Sequence, residues 1–416
     1  MNTNREIYEE VFNYLDEADV VHCLQNLIRA PSDNPPANYS KIELALRKEM
    51  ENAGLKIEVI GKPGKPNVIG TLKGSVGKPK VVFEAHLDTV AVGDRSVWKH
   101  DPFGGELEDG KIFGRGANDC KAPIASYIMA AKAINDAGIK LKGDIIIAAM
   151  CDEETGYKDG LWYLAEKGFF DDKAVLIGSG TTPFTHTAAT RGVLWVELTT
   201  SGPGGHAVGY GHKKRPINAL YKMVDVLEAI RNVDDWMTYE PHPLFTPEKG
   251  NTWTGKPIME PTVINASSKI NIIPEICKVQ IDMRILPTQT CAGVLKDLEN
   301  LLEKLKKKDP ELIVDIRTIQ AVDGRFIKSD LRDIELMKNA AKILGQQYKE
   351  NVMGATLGTG PEHERLEKGK RRLSVGTMTE EILSTHGPDE YQLVSNLMLA
   401  TKTSALYALE FCGVMN

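Results

Sequence analysis

Two side chains that suit a metal site follow an apolar run in the first quarter of the chain. Val81–Phe83 leads into the sequence EAHLD, which contains His86 and Asp88. Because alternate residues of a strand point to the same face, these two side chains would project together from the carboxyl end of a strand. An imidazole binds a metal ion directly, and a carboxylate nearby orients the ring. Taken alone, a buried strand that ends in two polar residues would explain this stretch equally well.

A glycine-rich segment, Gly114–Lys121, carries a second carboxylate in the sequence GRGANDCK. Asp119 precedes a segment with helical character, so one interpretation makes it a helix cap. Glycines before a helix can also hold a phosphate. This segment lacks the Lys-Ser/Thr ending of phosphate loops and the spacing of dinucleotide-binding loops. A carboxylate that bridges two cations beside His86 fits the segment better.

An acidic sequence, CDEETG, directly follows the apolar run Asp144–Met150. Glu153 and Glu154 are adjacent, and neighbouring carboxylates repel each other unless a cation or a proton relieves them. An exposed acidic loop is the alternative interpretation. The position at the carboxyl end of a predicted strand favours a functional site, because open α/β sheets bind ligands there. One carboxylate can then bind a metal while its neighbour acts as a base.

The last group lies in the sequence STHGPDE, just before the final predicted helix. His386 is part of a Gly-Pro loop, where it can serve as a further metal ligand. In isolation, a capping or surface histidine is the commoner explanation for such a residue. Together with the three groups before it, it would complete a metal site made of imidazole and carboxylate donors.

The elements that would position these groups alternate between strands and helices in the amino-terminal part of the chain. This alternation predicts an α/β fold with a mostly parallel sheet and flanking helices. A chain of 416 residues is too long for one ordinary core and indicates two domains. From 193 to 319, the order strand-helix-strand-strand-helix-strand predicts an inserted α+β sandwich. We therefore predict a catalytic domain at 1–192 and 320–416 and an inserted domain at 193–319.

The composition limits the classes of partner. Hydrophobic residues make up 42% and charged residues 26% of the chain, as in ordinary globular proteins. The net charge is −6 without a long basic block, which argues against a nucleic-acid partner. Six scattered cysteines without a CxxC pair argue against a zinc ribbon or a disulfide framework and favour a reducing compartment. With no signal peptide and no apolar run of membrane-spanning length, we predict a cytoplasmic protein without a membrane partner.

The sequences HLDTV, GRGANDCK, DEETG and THGPDE, in this order and at these distances, resemble the zinc-dependent M20 peptidase family. That family includes acetylornithine deacetylase, succinyl-diaminopimelate desuccinylase, carboxypeptidase G2 and dipeptidases. The resemblance extends over nearly the whole chain, and the four motifs together are highly specific. It implies a catalytic α/β domain with an inserted lid domain that also mediates dimerisation.

The resemblance also implies a role for each site residue. Four residues would bind one or two metal ions, with zinc as the first choice and cobalt or manganese as alternatives: His86, Asp119, Glu154 and His386. Asp119 would bridge two ions, Asp88 would hold the ring of His86, and Glu153 would be the general base.

Three residues of the inserted domain resemble positions of the family that contact the substrate. The sequence SGPGGHA contains His206, which would reach the active site of a neighbouring subunit and stabilise the oxyanion. Asn271 and Arg284 match a segment that grips the substrate, and Arg284 would pair with a substrate carboxylate, ideally through two hydrogen bonds. Without the resemblance, His206 is a loop residue and Arg284 a surface residue of a strand.

One position departs from the family pattern. Ser179 occupies a place where the family usually has a Glu or Asp that binds the first metal, and a neutral hydroxyl is a poor zinc ligand. Three outcomes stay open: the first ion binds weakly or is absent, another group such as His186 replaces the ligand, or the site is inactive. The segment Thr356–Arg372 departs from the family pattern as well.

The metal-site residues and the resemblance together imply metal-dependent hydrolysis of an amide or peptide bond in a small substrate that carries a carboxylate. An N-acyl amino acid deacylase and a dipeptidase or carboxypeptidase both fit this description. The alternative is a family member that binds a peptide or metabolite without turnover, because Ser179 replaces an acidic metal ligand. We expect a small-molecule or dipeptide substrate, a homodimer formed through the inserted domain, and no nucleic-acid partner.

Overall fold

The computed structural model describes residues 4–170, 174–177, 184–208, 216–241, 255–266, 269–326, 332–353, 372–374 and 385–415. The described residues belong to two compact units. The first unit is drawn from Met1–Thr187, Ser329–Glu350 and Pro361–Asn416, and the second from Ala188–Lys328 and Asn351–Gly360. The sequence predicted boundaries at 192/193 and 319/320. The catalytic and lid roles assigned to the two parts of the chain stay predictions.

The described residues form helices and strands from near the amino terminus to a long carboxyl-terminal helix. The helices are α1 (Asn4–Asn13), α2 (Glu17–Ile28), α3 (Ser40–Asn52), α4 (Lys121–Asp136), α5 (Leu161–Glu166), α6 (Ala219–Ile230), α7 (Cys291–Lys308), α8 (Arg332–Ile343) and α9 (Val394–Cys412). The strands are β1 (Lys56–Lys62), β2 (Lys65–Leu72), β3 (Lys80–His86), β4 (Glu106–Glu108), β5 (Lys111–Phe113), β6 (Asp144–Met150), β7 (Ala174–Ile177), β8 (Thr185–Thr190), β9 (Gly192–Ser201), β10 (Gly205–His206), β11 (Ile258–Asn265), β12 (Ile272–Ile273), β13 (Ile276–Ile285), β14 (Ile313–Val322), β15 (Arg325–Phe326), β16 (Lys349–Met353), β17 (Arg372–Ser374) and β18 (Tyr391–Leu393).

The first unit is built on a six-stranded sheet with the order β1-β2-β6-β3-β7-β17. Strands β6, β3, β7 and β17 run parallel to one another, while β1 and β2 add an antiparallel edge. Every residue of β6 is buried, as expected for a strand that is covered on both faces. The predicted α/β fold with a mostly parallel sheet is confirmed.

The register of the sheet brings two of the chemical groups together. His86 is the last residue of β3, and it is paired with Met150, the last residue of β6. Parallel strands have their carboxyl ends at the same edge of the sheet, so the acidic loop that begins at Cys151 starts beside His86. Helix α4, which follows Asp119, packs against β3 and β6 and has most of its side chains buried. Its N-terminus therefore belongs to the same core as these strand ends.

Apolar side chains cover both faces of this sheet. One face packs against helices that include α2 and α4, through side chains such as Leu24 and Ile128. The other face packs against α5, through side chains such as Val82 and Leu164. Each such side chain contributes about 1.5–3 kcal/mol when it is fully buried. This packing holds the strand ends in fixed positions relative to one another.

The second unit is a two-layer α+β sandwich. Its antiparallel sheet has the order β11-β13-β9-β14, and α6 and α7 pack against it through one apolar core. That core contains Leu198, Met223, Val279 and Leu298. Apart from the two-residue strands β10 and β12, the order β9-α6-β11-β13-α7-β14 agrees with the order predicted from the sequence. Strands β11 and β14 form the two edges.

Two general features complete the description. No helix in the described part of the chain combines the length and apolar character that crossing a membrane requires. All six cysteines are free and buried. The cytoplasmic location predicted from the sequence stays a prediction.

Candidate functional site

The imidazole of His86 is buried at the carboxyl end of β3, with 3% of the residue exposed. Its Nδ1 lies 2.9 Å from the backbone oxygen of Asp88 and 3.6 Å from Asp88 Oδ1. Because a backbone oxygen can only accept, Nδ1 carries the proton of this hydrogen bond. That tautomer leaves Nε2 to bind a metal ion on the other side of the ring.

Asp119 lies between two histidines and offers one carboxylate oxygen to each. Its Oδ1 is 3.0 Å from His86 Nε2, and its Oδ2 is 3.2 Å from His386 Nε2. Burial raises the pKa of Asp119, but hydrogen bonds from His386 and His86 outweigh this effect and hold the pKa well below its usual range. This geometry suits a carboxylate that bridges two cations, each of which would also bind one histidine.

The donor groups form sets of three whose ligand atoms lie within 4.8 Å of one another. The sets are His86 with Asp119 and Cys120, His86 with Glu153 and Glu154, and Asp119 with Glu154 and His386. Glu154 bears on whether a metal fits, because its side chain is 6% exposed and its buried Oε1 makes no hydrogen bond among the described residues, although His386 Nε2 lies 3.5 Å away. A buried carboxylate oxygen without a hydrogen bond is costly. These residues therefore fit a divalent metal ion.

The negative charge of the surrounding groups raises the pKa of both histidines. The hydrogen bond with Asp119 and the nearby carboxylate of Glu154 raise the pKa of His386 to about 10. Burial lowers the pKa of His86, but Cys120, Glu153 and Asp119 around it together raise the pKa well above its ordinary value. Protons on the two rings would thus compensate the carboxylates in the metal-free protein, and metal ions would displace those protons.

Asp88 is fully buried; its backbone oxygen holds the ring of His86, and its carboxylate holds the acidic loop. Its carboxylate accepts hydrogen bonds from the backbone nitrogens of Glu153 at 3.1 Å and Glu154 at 3.2 Å. The side-chain amide of Asn34 donates to the same carboxylate at 2.9 Å. Sequence reasoning did not identify Asn34, which lies in the proline-rich loop 30–36. A single amide among turn-forming residues was a weak signal for such a role.

Glu153 is oriented by a tyrosine that sequence reasoning also missed. Its Oε1 accepts a hydrogen bond of 2.5 Å from the hydroxyl of Tyr157, and its Oε2 lies 4.0 Å from His86 Nε2. Burial raises the pKa of Glu153, while His86 and Tyr157 offset part of that rise. A carboxylate with a raised pKa beside a metal position is suited to general base catalysis near neutral pH.

Replacing Tyr157 with phenylalanine should move the acidic limb of the kcat/KM profile to higher pH. Phenylalanine keeps the ring but removes a hydrogen bond that favours the charged form of Glu153, so the pKa of Glu153 rises. A base with a higher pKa is protonated over a wider pH range, and activity is lost first on the acidic side. The measurement is kcat/KM against pH, with Tyr163→Phe on α5 as the control. An unchanged profile in Tyr157→Phe would show that the hydroxyl does not act on the base.

A buried ion pair joins the two loops that carry Asp119 and His386. Arg115 Nη1 donates to Glu390 Oε2 at 2.6 Å, and solvent reaches almost none of either side chain. Glu390 Oε1 accepts from the backbone nitrogens of Asn118 at 2.9 Å and Asp119 at 3.0 Å. Arg115 Nη2 donates to the backbone oxygen of His386 at 3.3 Å. One pair of side chains thus fixes the spacing between two predicted ligands.

We expect Glu390→Gln to weaken metal binding by about 10- to 100-fold, the usual effect of losing a side chain that orients a ligand. Glutamine has nearly the same shape, but it leaves the buried charge of Arg115 without a counter-ion. The measurement is a titration of the metal-free protein with zinc in competition with a chelator of known affinity. Glu108→Gln, at an exposed carboxylate, is the control. Equal affinities for Glu390→Gln and wild type would exclude a positioning role for the ion pair.

The other predicted residues lie in the second unit. His206 is exposed on β10, which pairs with β12, and the backbone nitrogen of Ala207 donates to the backbone oxygen of Asn271 at 3.0 Å. Arg284 is near the far end of β13, roughly 26 Å along the strand from Ile276. The structure thus brings the segments of His206 and Asn271 together and places Arg284 apart from them. Their roles in binding and catalysis stay predictions.

Some positions singled out in the sequence lie outside the described residues. They are Ser179 and, apart from Arg372, the segment 356–372. The backbone of His186 belongs to β8, but its side chain is not among the described groups. The three outcomes for the first metal ion therefore stay open at these positions.

The chain resembles known proteins in sequence and in fold. The sequence model described as peptidase family M20/M25/M40 matches residues 82–410. The chain is 27% identical over 303 residues to N-formyl-4-amino-5-aminomethyl-2-methylpyrimidine deformylase of Bacillus subtilis. The aligned region covers 70% of this chain and 68% of that protein. The chain is also 27% identical over 290 residues to succinyl-diaminopimelate desuccinylase of Cereibacter sphaeroides. That aligned region covers 68% of this chain and 71% of the desuccinylase. Human carnosine dipeptidase 1 shares the fold, with a TM-score of 0.73 at 18% identity over 98% of this chain and 99% of that one.

Proposed function

The chain belongs to peptidase family M20/M25/M40 and is a hydrolase of amide or peptide bonds, and we propose that it acts on a small carboxylate-bearing substrate with the help of bound metal. The observation that supports this most strongly is the position of Asp119, which offers one oxygen to His86 and the other to His386. Glu153 adds a base beside the same place. Two neighbouring metal positions and an adjacent base are suited to the attack of water on an amide.

We assign the metal ligands as His86, Asp119, Glu154 and His386. Imidazole and carboxylate donors in these numbers suit zinc, with cobalt or manganese as alternatives, and the site would hold one or two ions. When bound, the metal would polarise the scissile carbonyl and lower the pKa of the attacking water. Asp88 keeps the ring of His86 and the acidic loop in place for this chemistry.

Glu153 performs the proton transfers in this proposal. It takes a proton from water as the water oxygen bonds to the carbonyl carbon. It then gives that proton to the nitrogen as the carbon–nitrogen bond breaks, so that an amine and a carboxylic acid leave. Tyr157 holds Oε1 of Glu153, which leaves Oε2 directed towards the reacting atoms. We assign stabilisation of the oxyanion to His206, contributed by a second subunit.

The proposed substrate is an N-acyl amino acid or a dipeptide with a free carboxylate. Two relatives have names that describe removal of a formyl and a succinyl group. Arg284 is the proposed partner of the substrate carboxylate, and Asn271, whose segment lies beside that of His206, would add a hydrogen-bonding group from the second subunit. Nε and Nη2 of Arg284 both donate to Asp282 Oδ2, and Nη2 lies 2.9 Å from that oxygen. These hydrogen bonds use two of the five N–H groups of the guanidinium. The other N–H groups allow it to bind a second carboxylate.

We also propose a homodimer formed through the second unit. Strand β11 is an edge of its sheet, and Val263 and Ile264 on it are 42% and 54% exposed. An exposed edge strand with apolar side chains is a template for pairing with another chain. Light scattering should therefore give twice the mass of one chain, and lysine at both positions should give a monomer. A wild-type protein with the mass of one chain would rule out this dimer.

A substrate panel with controlled metal content tests the proposed function. N-acyl amino acids and dipeptides are incubated with the protein as purified, after removal of metal by a chelator, and after zinc is added back. We expect hydrolysis of at least one compound, loss of hydrolysis without metal, and recovery with zinc. Hydrolysis that survives complete metal removal would contradict the proposal. Binding without turnover in the zinc-loaded protein would favour the non-catalytic alternative.

A further inference from the structure

Cys120 lies inside the metal cluster, although it took no part in the assignment of ligands above. Its side chain is completely buried, and its sulfur lies within 4.8 Å of a ring nitrogen of His86 and a carboxylate oxygen of Asp119. It occupies the N-cap position of α4, but its side chain makes no capping hydrogen bond. The thiol is therefore placed at a metal position and does not serve as a helix cap.

The metal position on the His86 side of Asp119 has too few assigned protein ligands, and this shortage points to a role for the sulfur of Cys120. Among the described residues, the groups within reach there include the carboxylates of Glu153 and Glu154. Glu153 is assigned as the base, and Glu154 also belongs to the set on the other side of Asp119. His86 and Asp119 by themselves provide two ligands, whereas a catalytic zinc ion usually has three ligands from the protein. Within the described part of the chain, Cys120 is the remaining donor that can supply the third.

Building on the proposed function, we propose that the thiolate of Cys120 is the third protein ligand of the metal ion bound by His86 and Asp119. Coordination forms a metal–sulfur bond, breaks the S–H bond and releases the proton to solvent. A sulfur donor selects zinc or cobalt over manganese or magnesium at this position.

The other cysteines of the chain provide an internal comparison. All six are free and buried, but within the described residues Cys120 is the one cysteine that belongs to a donor set. Cys23 on α2 is equally well buried and packs in the apolar core of the first unit. Burial alone therefore does not explain why Cys120 lies beside His86 and Asp119. Cys23 is the matched control for experiments on Cys120.

Substitution with Co²⁺ tests this ligand, because a thiolate bound to Co²⁺ gives a charge-transfer absorption in the near ultraviolet that imidazole and carboxylate ligands do not give. The metal-free full-length protein is titrated with Co²⁺ while its absorption is recorded. We expect the band in wild type and in Cys23→Ser, and no band in Cys120→Ser or Cys120→Ala. Competition with a chelator should show at least about tenfold weaker binding of one ion in Cys120→Ser.

Two results would overturn the role of Cys120: Co²⁺-loaded wild type without the band, or a band that persists in Cys120→Ala. The wild-type spectrum decides whether a thiolate binds even if a variant fails to fold. These outcomes are separate from the proposed function. If the protein binds Co²⁺ and hydrolyses the panel but shows no band, the sulfur ligand alone is excluded. If it neither binds metal nor hydrolyses the panel, the proposed function is excluded.

Discussion

Glu153→Gln is expected to lower kcat by about 10²- to 10⁴-fold, the contribution of a well-positioned acid–base group, while metal stays bound. Glutamine keeps the size of the side chain and can accept the hydrogen bond from Tyr157, but it cannot take a proton from water. Glu153 Oε2 lies 4.0 Å from His86 Nε2, so the base faces the metal position without being an assigned ligand. The measurement is kcat and KM on the substrate panel together with the metal content of each protein.

Glu166→Gln is the matched control for this variant. Glu166 is the last residue of α5, in the segment that follows the acidic loop, and it is exposed. It should keep the activity and the metal content of wild type. Unchanged turnover in Glu153→Gln would rule out Glu153 as the base. Loss of metal from the same variant would show that Glu153 is a ligand instead.

Asp119→Asn should weaken the binding of both ions and lower kcat/KM by about 10³-fold, because bound metal contributes several kcal/mol to an activated complex of this kind. The change removes the negative charge that lies between His86 Nε2 and His386 Nε2. An amide offers one oxygen, so it cannot serve two ions as a carboxylate can. Elemental analysis and competition with a chelator measure the two affinities.

Asp136→Asn controls for a change of charge on the same segment. Asp136 ends α4 and pairs with Lys132 at the surface. The two variants have the same substitution, and the expected loss of metal is confined to Asp119→Asn. Loss of a single ion from Asp119→Asn would mean that the carboxylate belongs to one metal position and does not bridge.

The positions of the site residues were predictable from the sequence, because they follow from the local patterns of strands and helices beside them. His86 and Glu153 follow apolar runs that form adjacent parallel strands, and such strands bring their carboxyl ends to one edge. Asp119 precedes α4 and His386 precedes α9, as the helical patterns indicated. The α/β fold is confirmed, and the structure brings these side chains together as expected. Their catalytic roles stay predictions.

The contacts that hold these groups in place were not predictable, because they join distant parts of the chain. Asn34 reaches Asp88 across 54 residues, and Arg115 reaches Glu390 across 275 residues. Tyr157 is close to the base in sequence, but its backbone has a φ of 66°, which few residues other than glycine adopt. Periodicity and propensity carry no information about such contacts.

Short and edge strands were missed for another reason. Strand β1 has no buried residue and alternates between exposed and half-exposed residues only over Lys56–Val59, so its pattern gave a weak signal for a strand. It forms because it pairs along its length with β2. The three-residue strands β4, β5 and β18 likewise exist through their pairing with one another. Pairing of this kind decides strand formation more strongly than intrinsic preference does.

The central claim is that Asp119 is shared by two metal ions. The most direct test is a crystal structure of the zinc-loaded protein, with anomalous differences measured on both sides of the zinc absorption edge. We predict two zinc peaks, one beside His86 Nε2 and one beside His386 Nε2, with the carboxylate of Asp119 in contact with both. A zinc-loaded crystal with a single zinc peak, or with no metal in contact with Asp119, would contradict this claim.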